Sequence, residues 1–95
     1  MMMTVTVNER LRPRDNVFAR EFDGEMVLLD LTGGVYYGLD ALGTDVWKGM
    51  SAGKTLKDLV PDVLATYDVD ESRLVNDLIT LATDWIDKQL VERVP

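Results

Sequence analysis

The sequence contains no cysteine and no histidine. Disulfides, thiolate nucleophiles and the usual Cys/His zinc sites are thereby excluded, as is acid–base chemistry that relies on imidazole. Cations are scarce as well: ten Lys and Arg stand against 17 Asp and Glu, a formal net charge of −7 over 95 residues. Nucleic-acid binders draw much of their affinity from neutralising phosphates, so a polyanion is a poor partner for this chain. The acidity itself implies little beyond solubility. No apolar run approaches the roughly 20 residues that cross a bilayer, so no membrane partner is expected. The opening Met1-Met2-Met3-Thr4-Val5-Thr6-Val7 lacks the basic start and long apolar core of a signal peptide, which makes the cytoplasm the expected compartment.

What is present is a hydrophobic content of 46%, enough for one small globular domain without repeats or low-complexity tracts. Residues 1–15 have weak periodicity. Thr4-Val5-Thr6-Val7 suits a short strand, but Arg10, Arg12 and Arg14 surround Pro13, which discourages regular pairing. This stretch reads as an amino-terminal arm, solvated or in contact with an acidic partner, ahead of a single domain over residues 16–95.

Three strands follow. Residues 16–22 are rich in β-branched and aromatic types, and Asp23-Gly24 before the next run is a type I′ hairpin signal. The second strand, residues 25–30, is apolar through its middle, which implies that both faces are covered. Thr32-Gly33-Gly34 turns the chain into a third strand, Val35-Tyr36-Tyr37-Gly38, completing an antiparallel meander.

Helical spacing then takes over. Asp40 is placed to cap a helix carrying Leu42, Val46, Trp47 and Met50 on one stripe. Thr55-Leu56-Lys57-Asp58 starts a second helix with a capping box, and Leu56, Leu59, Val60, Val63 and Leu64 form its inner face. Pro61 lies inside that pattern and is expected to kink or divide it. Asp70 caps a third helix over residues 71–88, in which Leu74, Leu78, Leu81 and Trp85 form one stripe and Val75, Ile79, Ala82 and Ile86 another. Together the stripes cover about half the circumference, more than the arc of about 100° that a surface helix needs. Either a small core takes both, or one stripe borders a groove. Leu90, Val91 and Val94 close the domain as a short tail.

No catalytic, metal or cofactor site is expected. Gly33-Gly34 joins two strands and does not open a helix as a phosphate loop would, and Asp68-Val69-Asp70-Glu71 lacks the central glycine of a calcium loop. The third strand is an edge, and its residues carry none of the charge or proline that usually blunts one. A partner peptide can add a strand there, drawing affinity from main-chain hydrogen bonds and specificity from side-chain pockets. Cover by the amino-terminal arm, or pairing with a second copy, would also satisfy this edge.

The order of these motifs resembles the PqqD-like family. The residues that carry the likeness are Val27-Leu28-Leu29-Asp30, Tyr36-Tyr37-Gly38-Leu39-Asp40, Gly43 with Val46-Trp47, Gly53-Lys54-Thr55-Leu56, and Tyr67-Asp68-Val69 before the leucine-rich last helix. The likeness spans about residues 16–92. It implies an α+β winged helix-turn-helix fold, a three-stranded antiparallel sheet followed by three helices. It also implies a non-catalytic recognition element of pathways that modify ribosomally made peptides, one that binds the precursor's leader peptide against the third strand. Carried over by position, the peptide-binding residues are Val35, Tyr36, Tyr37 and Gly38 on the strand. The wall supplied by the last helix is drawn from Leu74, Asp77, Leu78, Leu81 and Trp85. The tyrosine-rich strand and Trp47 resemble the free-standing proteins of lasso-peptide pathways, which implies a separate cysteine-protease-like leader peptidase and a cyclase as partners. The alternative that shares this fold is a DNA-binding winged helix, against which Asp77, Asp84 and Asp87 on the last helix weigh.

Overall fold

The structure, a computed structural model, describes residues 5–95. Strands β2 (Val17–Phe22), β3 (Glu25–Asp30) and β4 (Val35–Leu39) form an antiparallel sheet in the order β2-β3-β4. The first hairpin turns as its sequence demands, with Asp23 at φ 50° and Gly24 at φ 82°, both in the left-handed region of a type I′ turn. At the second turn Gly34 has φ 69° and donates its N–H to the Asp30 carbonyl at 2.7 Å. The Asp30 carboxylate accepts from Asn16 Nδ2 at 2.9 Å and from the Thr32 N–H at 3.0 Å. These bonds, that from Asn16 foremost, hold its pKa below the ordinary value because they favour the charged form.

Helices α1 (Ala41–Ser51), α2 (Leu56–Thr66) and α3 (Glu71–Asp87) follow. All three start on the expected side-chain caps. Asp40 accepts from the Gly43 N–H, Asp70 accepts from the Arg73 N–H, and Thr55 and Asp58 form a reciprocal capping box. Of the kink or division expected at Pro61, the division does not occur, and α2 is one helix through it. A proline removes one helical hydrogen bond, but Pro61 is exposed while Leu56, Leu59, Val60 and Val63 are buried and hold the helix on the core. α1 crosses α2 so closely that a Cβ at Gly49 would collide with the Leu59 side chain.

The reading of residues 1–15 as an arm is corrected where they are described. β1 (Leu11–Pro13) pairs antiparallel with β5 (Val91–Arg93) as a second, two-stranded sheet. Val5 and Leu11 are buried, and the Val7 carbonyl accepts from the Lys57 N–H at 2.9 Å. The strand expected at Thr4 begins outside the described residues, and residues 5–7 form none. Two of the three arginines are likewise engaged. Arg12 Nε meets Glu92 at 2.7 Å, and Arg14 Nε donates to the Asn16 side chain at 3.3 Å. Pro13 is tolerated because it ends a strand of a two-stranded ribbon. The tail reaches β5 through a Schellman turn. The Leu90 N–H bonds the Trp85 carbonyl and the Gln89 N–H bonds that of Ile86, with Gln89 at φ 60° where glycine is usual.

The core lies between the meander and the helices. Trp47 of α1 and Trp85 of α3 meet edge to face with ring centroids 5.1 Å apart. Thr44, 1% exposed, accepts from the Met26 N–H at 2.8 Å and donates to the Leu39 carbonyl at 3.4 Å. One hydroxyl thus ties α1 to both β3 and β4 where those strands pair.

Candidate functional site

Among the described residues β4 pairs only with β3, so its outer edge is open. Among the described residues no amino-terminal strand pairs with this edge, and β1 is committed to β5. A groove of about 610 Å³ opens at the end of the edge, lined by Gly38, Leu39, Asp40, Leu42 and Gly43 on one side and by Asp77, Thr80, Leu81 and Asp84 of α3 on the other. An adjoining recess of about 390 Å³ shares Leu42 and Asp77 and runs to Val69, Asp70 and Arg73.

Local sequence explains this geometry. Alternation along β4 turns Tyr37 and Leu39 inward, opposite Leu28 and Met26, and sends Tyr36 to the far face in register with Leu29 and Phe18. The Asp40 cap then turns the chain sharply into α1, leaving Leu42 half-buried at the mouth of the groove. On α3 the stripe Leu74, Leu78 and Trp85 is buried, so the adjacent stripe, Asp77, Leu81 and Asp84, forms the wall. Next to the lining residue Asp84 stands Lys88, whose ammonium sits 5.1 Å from the Tyr37 ring centre and 2.8 Å from the Asp84 carboxylate.

Of the nine residues expected to bind peptide, Gly38, Asp77 and Leu81 line the groove. Val35 and Tyr36 are exposed on the strand but outside it, and Tyr37 is half-buried beneath Lys88. Leu78 and Trp85 lie wholly within the core, at 0% and 2% exposure, and cannot form a cleft wall; Leu74, at 2%, reaches only the floor of the adjoining recess. The most apolar stripe of an amphipathic helix is the one that a small core takes first. Sequence reasoning missed Leu39, Leu42, Gly43, Thr80 and Asp84 as lining residues and saw Asp40 only as a cap. The available signal was spacing, since Asp77, Leu81 and Asp84 recur three and four apart.

The groove is an apolar floor under an acidic rim. Among the described residues no group of three or more carboxylates is placed to hold a metal ion. No helix of the described residues is long and apolar enough to cross a membrane. An open strand edge running into an apolar groove is an arrangement that can take up an added strand by main-chain pairing.

The family model for coenzyme PQQ synthesis protein D (PqqD) matches residues 25–91. Among solved structures, TbiB1 in complex with the TbiA(beta) leader peptide is similar at 34% identity and TM-score 0.81, over 85% of this chain and 94% of that one. A lasso peptide synthetase B1 complexed with the leader peptide shares the fold at 22% identity and TM-score 0.81, over 90% of this chain and 99% of the other. No curated protein sequence matches the chain significantly.

Proposed function

Because the chain belongs to the PqqD family, we propose that it is a recognition element of the lasso-peptide type, which binds the leader peptide of a ribosomally made precursor as a fourth strand along β4. The observation that carries this reading is the open β4 edge running into the groove between Leu39, Leu42 and Leu81, in a chain 34% identical to a protein solved with a leader peptide. Gly38 and Leu39 pair with the added strand where its side chains enter the groove. The protein makes and breaks no covalent bond itself. It presents the bound leader to a separate cysteine-protease-like peptidase, and a cyclase closes the ring after cleavage.

The test is fluorescence polarisation with a labelled leader from the short reading frame nearest this gene, at low and at high salt. Saturable binding that persists at high salt is expected, because main-chain pairing and apolar contact are only weakly screened. Duplex DNA in the same series should not bind, given the acidic α3. Binding of the duplex with a steep loss on adding salt, and no binding of the leader, would overturn the reading.

A further inference from the structure

The rim of the groove carries three carboxylates in unequal situations. Asp84 is neutralised by Lys88 at 2.8 Å. Asp40 spends one oxygen on the Gly43 N–H at 2.8 Å and keeps the other. Asp77, exposed on α3, takes part in no side-chain hydrogen bond or ion pair among the described residues. Asp40 and Asp77 therefore face each other across an apolar floor of Leu39, Leu42 and Leu81 with charge left unbalanced. Of the cations beside this site, Lys88 is held by Asp84 and Tyr37, and Arg73 lines the adjoining recess.

An apolar strand laid in this groove would strip water from Asp40 and Asp77 without replacing it, which is costly. An acidic strand would be repelled. A lysine or arginine instead lays its aliphatic stem on Leu42 and Leu81 and brings its head to the carboxylates. We propose that the groove selects a peptide strand bearing one lysine or arginine, flanked by apolar residues, at the position that passes between Asp40 and Asp77. The inference rests on strand addition at β4 and specifies the sequence that the added strand must have. The same carboxylates reject acidic and wholly apolar strands, so they set specificity more than affinity.

The experiment is selection of a displayed library of random 15-residue peptides on the full chain and on the Asp40→Asn/Asp77→Asn variant. Asparagine keeps the α1 cap, and Asp77 is exposed, so the variant should fold; circular dichroism checks this. The wild-type protein should enrich peptides with a fixed Lys or Arg between apolar positions, and the variant should keep the apolar pattern and lose the basic one. In the best peptide, replacing that residue by norleucine should weaken binding to the wild type about fivefold and leave binding to the variant unchanged. An apolar pattern with no fixed basic residue, or a basic residue enriched equally on both proteins, would overturn the inference and leave strand addition standing. Failure of the wild type to enrich any peptide would overturn both.

Discussion

Two adjacent faces of α3 put the same spacing to opposite uses. Leu74, Leu78 and Trp85 lie under the helix, 0–2% exposed, and Trp85 meets Trp47 edge to face. Asp77, Leu81 and Asp84, the next stripe round, stand in the groove with one apolar side chain between two carboxylates. The difference teaches that the residues which look most like a binding surface in sequence are those the core of a small domain claims first. The proposed recognition face is the mixed stripe beside them, apolar enough to be covered and polar enough to remain exposed until it is.

The largest effect expected from breaking this division is at Leu78. Leu78→Ala should cost about 2–5 kcal/mol, because the core around a fully buried leucine refills only partly. Urea denaturation should show the loss, and leader binding should fall only as far as the folded fraction does. Thr44→Val preserves shape but leaves the Met26 N–H and the Leu39 carbonyl without their shared partner, at about 1–3 kcal/mol in the same measurement. Leu81→Ala should do the reverse of Leu78→Ala. Half-buried on the groove wall, it should weaken leader binding about five- to tenfold while shifting stability by less than about 1 kcal/mol. Gln89→Gly should raise stability by about 0.5–1 kcal/mol, because a left-handed residue is strained with a side chain and relaxed without one. Groove and core should respond to it identically.

The smallest effect concerns pH. Asp30 is held low chiefly by Asn16, and Asp58 chiefly by the Thr55 N–H. A folded pKa below the unfolded one contributes stability that is present above the unfolded value and lost as pH falls through the folded one. Thermal melts should therefore decline as pH drops through the ordinary carboxylate range and below it, and Asp58→Asn should flatten part of that decline. Lys48 and Lys54, raised by Glu21 and Asp62, act in the opposite sense. Their contribution is present below the ordinary lysine value and is lost as pH rises through the raised one.

Much of the fold was legible because its signals are local. Asp23-Gly24 sets the first hairpin, and Asp40, Thr55 and Asp70 fix three helix starts from side chains within three residues of the groups they cap. The pairing of β1 with β5 was not legible, since three-residue strands are too short to show alternation and their register depends on the chain between them. Pro61 does not divide α2, because the rule against interior proline weighs one hydrogen bond, whereas burial of Leu59, Val60 and Val63 holds the helix together. The groove was half legible. β4 was identified as an edge from strand order, but which stripe of α3 faced it depended on how the helix rolls on Trp47, and no local pattern encodes that.

The ribbon of β1 and β5 has a consequence for the order of events in folding. Its Arg12–Glu92 pair joins residues 80 apart in sequence. Closing a loop of that length in an open chain would cost about 4 kcal/mol of entropy before any contact repaid it. Once the meander and helices have collapsed, the ends are already near one another and the same closure costs little. The ribbon should therefore zip late, and contacts formed that late should slow unfolding more than they speed folding, which chevron plots of a Leu11→Ala variant would check. Leu11 and Val91, buried and outside the lining of the groove, should then influence how long the chain withstands proteolysis under conditions where cleavage outpaces reclosing.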